Sequence, residues 1–183
     1  INVGSYAQHN DSEEFDPFNL YSSTKEAFQN ILYFYHLAHG LSCLTLKLFD
    51  TYGLGDTRGK LINLITDSLL EGSNLELSPG DQLIDLSHVD DVVKHFLEAE
   101  EYLSNLSEPS WQVFFVNGER LTVKELVINL EKIVGRKFRG SFGNRPYRDR
   151  EIMNPVLSSK ELPWEKKVHK ISLKEGLSIL MEG

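Results

Sequence analysis

Tyr21-Ser22-Ser23-Thr24-Lys25 is the stretch from which the rest of this 183-residue chain can be read. Tyr and Lys four positions apart on a helix lie one turn from each other on the same face. A phenol has an ordinary pKa of about 10, and a neighbouring ammonium favours its ionised form. The pair is therefore a candidate general acid/base. By itself the spacing more often describes an aromatic stem and a solvated lysine on a helix edge, so the surroundings must decide.

Upstream, Ile1-Asn2-Val3-Gly4 reads as the end of a buried strand, and Ser5 closes it with a hydroxyl at the sheet's carboxyl edge. Asn10–Phe18 is polar and acidic and ends in Pro17-Phe18, so it is expected to be a surface loop. A helix is predicted from about Asn19 to His39, with Ala27, Ile31, Phe34 and Ala38 at three- and four-residue steps and Gly40 as its stop. Leu41–Phe49 reads as a buried strand. Glycines 53, 55 and 59 then form a loop, and Leu61–Leu70 a helix ending at Gly72.

Leu75–Leu77 and Leu83–Leu86 are short strand candidates either side of Pro79-Gly80-Asp81. Val89–Leu103 is an amphipathic helix offering Val92, Val93, Phe96, Leu97 and Ala99 to a core. Gln112–Val116 is an apolar strand, and Lys137–Phe142 a further candidate. Thr122-Val123-Lys124-Glu125 and Ser172-Leu173-Lys174-Glu175 are capping boxes that open two more helices, the first closed by Gly135. Alternating strands and helices give an α/β class with some parallel sheet.

Composition narrows the function classes. The net charge is −8 and the sequence pI about 5.2, which supplies no general field for nucleic acid or an anionic membrane. One cysteine, Cys43, excludes an internal disulfide framework and a cysteine-based zinc site. The six histidines show no ligand spacing beyond His36 and His39 on one helix, and no metal is expected. Asp90-Asp91 reads as a pair of first-turn helix acids. A reducing, cytoplasmic setting is expected. The opening at Ile1, with no initiator Met, suggests a fragment entered mid-strand.

The order of these motifs resembles the extended short-chain dehydrogenase/reductase family of nucleotide-sugar epimerases, dehydratases and reductases. The resemblance implies a catalytic triad of Ser5, Tyr21 and Lys25, with Tyr21, Lys25 and Phe49 facing an NAD or NADP cofactor. It aligns Asp50-Thr51-Tyr52-Gly53 with the family's Asn-x-Tyr-Gly loop and Val89–Val92 with its Val-Asp-Asp-Val segment. Asp50, Lys60, Leu61, Arg145 and Arg148 are the implied contacts to a nucleotide-sugar substrate, with Arg145 of Arg145-Pro146 carrying an unusually large share of the diphosphate interaction. Residues 1–50 then represent the remainder of a Rossmann-type dinucleotide-binding domain. Residues 51–183 are mainly a small α/β substrate-binding region, with Val89–Leu103 and Gln112–Val116 packing back on the Rossmann part. A homodimer is possible on family grounds.

The departures from the family are informative. The glycine-rich dinucleotide fingerprint does not occur in the chain. The chain by itself is therefore expected to be inactive. Ile84 stands where many relatives place an Arg, and Asp50 replaces the usual Asn, exchanging an amide for an acceptor-only carboxylate. Tyr6-Ala7 occupy the places of the Asp-Glu pair that eliminates water in 4,6-dehydratases, which argues against dehydration. What remains is 4-epimerisation or reduction of a 4-keto sugar, with the abequose and paratose synthases, which reduce CDP-4-keto-deoxyhexoses, as the nearest subgroup. The alternative is a non-catalytic nucleotide-binding member of the same fold; such members typically lose the Tyr or the Lys.

Overall fold

The computed structural model describes residues 1–158 and 160–182. Its strands are β1 (Asn2–Ser5), β2 (Cys43–Leu48), β3 (Asp50–Tyr52), β4 (Glu76–Leu77), β5 (Leu83–His88), β6 (Trp111–Val116), β7 (Glu119–Thr122) and β8 (Ser141–Phe142). Its helices are α1 (Leu20–His39), α2 (Leu61–Glu71), α3 (Val89–Ser104), α4 (Val123–Val134) and α5 (Leu173–Glu182). The result is an α/β fold in three small sheets. In the first, all parallel, β2 lies between β1 and β6, with Val3 opposite Leu46 and Leu46 opposite Phe114. In the second, β5 runs parallel to β3 and antiparallel to β7. In the third, β4 pairs with β8 in parallel.

The alternation of side chains along β2 explains how the first sheet is used. Leu44 and Leu46 turn to one side, where they join Ala99 of α3, Phe114, Val116 and Trp164 in a closed apolar core. Thr45 and Lys47 are also buried, but belong to the other side. There α1 packs, and Lys47 meets Glu26. A polar layer therefore lies under α1.

That polar layer changes the phase expected for α1. The helix has the predicted extent, but Ile31 and Phe34 are 53% and 60% exposed while Ser22 and Gln29 are buried. The apolar repeat detects a helix correctly and points away from the sheet. In α3, Val92, His95 and Ala99 face inward, whereas Val93 and Leu97 are exposed, so only part of the expected set reaches the core.

The second core forms between α2, α4, α5 and the second sheet, around Ile65, Leu69, Leu126, Leu130 and Leu177. Helices α1, α2 and α4 stop at Gly40, Gly72 and Gly135, with φ of 67°, 71° and 71°, where a side chain would be strained. The strand candidates flanking Pro79-Gly80-Asp81 join different sheets rather than pairing with each other. Of Lys137–Phe142 only Ser141–Phe142 is a strand. Cys43 is buried, and burial pushes its thiol pKa up. Among the described residues no helix is long and apolar enough to cross a membrane, and no group of three His, Cys, Asp or Glu is arranged to hold a metal.

Candidate functional site

The site grows from the carboxyl end of β1. Ser5 is extended, with φ −142° and ψ 141°, and caps a single turn of 3-10 helix. Its Oγ accepts from the Ala7 N–H at 3.2 Å, and its own N–H donates to Gln8 Oε1 at 2.8 Å. The chain then makes its acidic loop and enters α1 through a reciprocal cap. The Asn19 side chain accepts from the Ser22 N–H, and the Ser22 hydroxyl accepts from the Asn19 N–H, both at 3.0 Å. This cap fixes Tyr21 in the first turn, 57% exposed and open to a ligand.

Lys25 lies one turn on, its ammonium 5.5 Å from the centre of the Tyr21 ring. It also donates to the Val3 carbonyl at 3.1 Å, tying α1 to the strand that carries Ser5. Phe49 is buried. It stacks on Tyr6 with centroids 5.0 Å apart and leans on Phe115.

A pocket of about 270 Å3 opens beside this strand end, bounded by Tyr6, Asp50, Lys60, Leu61, Ile84 and Arg148 among others. Asp50 opens β3 and accepts from the Tyr6 hydroxyl at 3.4 Å. Burial raises its carboxyl pKa to about 6, against the opposing pull of Lys60, so it changes charge close to neutrality. The phenol of Tyr6 is pushed the other way from usefulness as a base. Burial and the neighbouring Asp50 raise it well above the ordinary value, leaving it a hydroxyl donor.

Lys60 donates to the Thr51 carbonyl at 2.7 Å and pairs with Asp56 at 3.1 Å. Arg148 pairs with Glu151 at 3.2 Å and lies over the Phe18 ring. Four of the five expected substrate contacts, Asp50, Lys60, Leu61 and Arg148, thus border one pocket. Arg145 is not among the residues bounding it and is exposed, its backbone N–H bonded to the Leu77 carbonyl at 3.3 Å. Ile84, in the place of the family's Arg, borders the same pocket and supplies it with an apolar wall. Tyr6, Gln82 and Glu151 border it too and were not anticipated. Only Tyr6, next to Ser5 in the chain, carried a signal that could have found it.

A nicotinamide dinucleotide is implied by the resemblance, and the residues present suit one end of it. Tyr21 is exposed, and Lys25 beside it is cationic and anchored to the strand of Ser5. A glycine-rich turn for the pyrophosphate is not part of this sequence.

Comparison with known proteins finds relatives over most of the chain. The chain is 29% identical over 159 residues to CDP-abequose synthase of Yersinia pseudotuberculosis, covering 85% of this chain and 54% of that protein. It is 33% identical over 147 residues to CDP-abequose synthase of Salmonella typhimurium, covering 78% and 48%. It therefore spans about half the length of the curated relatives it matches. In fold it is similar to the UDP-glucuronic acid 4-epimerase of Bacillus cereus, solved with UDP-glucuronic acid and NAD. The TM-score is 0.85 at 18% identity, over 98% of this chain and 59% of that one. Residues 3–111 match the NAD dependent epimerase/dehydratase family, and the chain belongs to that family.

Proposed function

We propose that this chain carries the acid/base and substrate-binding half of an NAD- or NADP-dependent enzyme that transfers hydride at C4 of a nucleotide-activated sugar. Reduction of a 4-keto sugar is the favoured direction. The observation that carries the reading is the anchoring of Lys25 between the Tyr21 ring and the strand of Ser5, beside a pocket lined by Lys60 and Arg148. The likeness to two CDP-abequose synthases supports reduction over epimerisation.

In this reading Tyr21 gives its hydroxyl proton to the sugar oxygen at C4 during reduction and takes it back during oxidation. Lys25 stabilises the phenolate that remains. Ser5 donates a hydrogen bond to the same oxygen. A nicotinamide dinucleotide, when bound, supplies or accepts the hydride. Lys60 and Arg148 offset the diphosphate charge, which a protein of net charge −8 otherwise repels. Asp50 and Tyr6 face the sugar end of the pocket.

Turnover of a CDP- or UDP-linked 4-keto-6-deoxyhexose with NADH and NADPH, by a protein of the relatives' full length that carries this chain, tests this. Tyr21→Phe removes the proton donor and should lower the rate at least about a hundredfold, as loss of a general acid/base does. A Tyr21→Phe protein with wild-type turnover would remove Tyr21 from the reaction.

A further inference from the structure

Behind the strand end that carries Ser5 lies a closed set of charged and polar side chains with no part in the chemistry above. We propose that Lys47 is a positioning residue: a buried ammonium, shared between His9 and Glu26, that locks the Ser5 end of β1 to the loop entering α1. The inference rests on the proposed function only for the role of Ser5; the geometry of the cluster stands by itself.

Lys47 is 3% exposed, on the central strand of the first sheet. Its Nζ lies 2.5 Å from Nε2 of His9 and 3.8 Å from the Glu26 carboxylate. Two nitrogens in hydrogen-bond contact need one to donate and the other to accept. The arrangement that satisfies every partner has the Lys47 ammonium donating to a neutral imidazole. His9 then holds its own proton on Nδ1 and donates it to the Glu14 carbonyl at 2.9 Å. Burial and the Lys47 charge both lower the His9 pKa, in agreement with that assignment.

From Glu26 the connection continues to the catalytic strand. Glu26 Oε2 accepts from Gln8 Nε2 at 2.6 Å, and Gln8 Oε1 accepts from the Ser5 N–H at 2.8 Å. Gln8 is fully buried. The groups facing this cluster are Glu26 from α1, Lys47 from β2, the Phe115 ring from β6 and the backbone of Glu13 and Glu14 from the loop.

Gly4 shows that the passage is built for it. A Cβ at Gly4 would lie 2.8 Å from Lys47 Cγ and 2.9 Å from Gln8 Oε1. The lysine stem and the glutamine amide both pass where a side chain would otherwise be. A buried lysine is costly unless its charge is paired and its protons are bonded. Here the partners are the loop on one side of Ser5 and the helix that carries Tyr21 and Lys25 on the other. Fixing the cation fixes both.

The test reads the His9 ring directly by nitrogen NMR of the whole chain, in wild type and in Lys47→Met. In the wild type the ring should remain neutral, with its proton on Nδ1, to well below the ordinary histidine range. In Lys47→Met the titration should move upward, because the lowering charge is gone while Glu26 remains. Wild-type His9 that titrates like a free imidazole would overturn the proposal even if Lys47→Met fails to fold. Equal titration in the two proteins would do the same.

Thr45→Val is the control. It removes the 3.1 Å bond from Asn2 in the same buried layer, outside the cluster, and should leave the His9 titration unchanged. Where turnover is measurable, Lys47→Met should lower kcat by about a hundredfold with KM within about threefold, the size expected from a misplacement of about 1 Å. Unchanged kcat would refute a positioning role. Absence of turnover in a wild-type protein of the relatives' full length that carries this chain would instead refute the proposed function and leave the NMR result to decide the cluster.

Discussion

Replacing Asp50 with Asn should make this protein more stable, and increasingly so as the pH rises. The carboxyl sits against Tyr6 at the edge of the pocket, and burial lifts its pKa from 3.8 to about 6. A group whose proton is held more tightly in the folded state than in the unfolded chain loses stability as it ionises. The loss begins near the unfolded value and is complete above the folded one. For this rise the full loss is about 3 kcal/mol. Asn keeps an oxygen for the Tyr6 hydroxyl and never ionises. Its absolute effect includes whatever the exchanged hydrogen bonds are worth, but that part does not vary with pH. The stability difference between variant and wild type should therefore widen by about 2 kcal/mol from pH 4.5 to pH 8. Urea unfolding at the two pH values, followed by the fluorescence of Trp111 and Trp164, measures it. A difference that stays constant, or narrows as the pH rises, would refute the assignment of a neutralised carboxyl at this position.

Arg148→Ala should weaken binding of CDP or UDP about tenfold, since its guanidinium is the pocket's outer cation and a factor of ten corresponds to about 1.4 kcal/mol. Arg145→Ala should change binding by less than about twofold, because Arg145 does not border the pocket; calorimetric titration of both variants compares them, and the reverse order would move the diphosphate to Arg145. Gly4→Ala should cost about 1–3 kcal/mol by forcing the Lys47 stem and Gln8 apart, read as a fall in unfolding midpoint. A neutral Gly4→Ala would mean that the cluster has room to spare.

Much of the architecture was legible because local signals and tertiary demand coincide. The capping box at Thr122 and the stop at Gly135 bound α4, and the leucines and other strand formers of β2 mark a buried strand. The phase of α1 was not legible. Its apolar stripe is genuine, but the layer beneath it is polar because Lys47, His9 and Glu26 occupy it, and that cluster joins residues far apart in the sequence. Strands β3 and β7 escaped notice because each is a few residues long and gains its identity only by pairing with β5. In the site, motif order pointed to Ser5, Tyr21, Lys25 and the edge of the pocket. The choice between Arg145 and Arg148 depends on which way a loop of several arginines turns, and spacing does not encode that. Asp50 was visible as an unusual acid, but its near-neutral pKa comes from burial beside Tyr6.

The central claim is that Tyr21, Lys25 and Ser5 serve hydride transfer at C4 of a nucleotide-linked sugar. NADH or NADPH deuterated at the transferring position, given with a CDP- or UDP-linked 4-keto-6-deoxyhexose to a protein of the relatives' full length that carries this chain, tests it most directly. The account expects product sugar carrying deuterium at C4, at a rate that Tyr21→Phe lowers at least about a hundredfold. Product with no deuterium at C4, or a nucleotide sugar that binds the Lys60–Arg148 pocket and is never turned over, would contradict it.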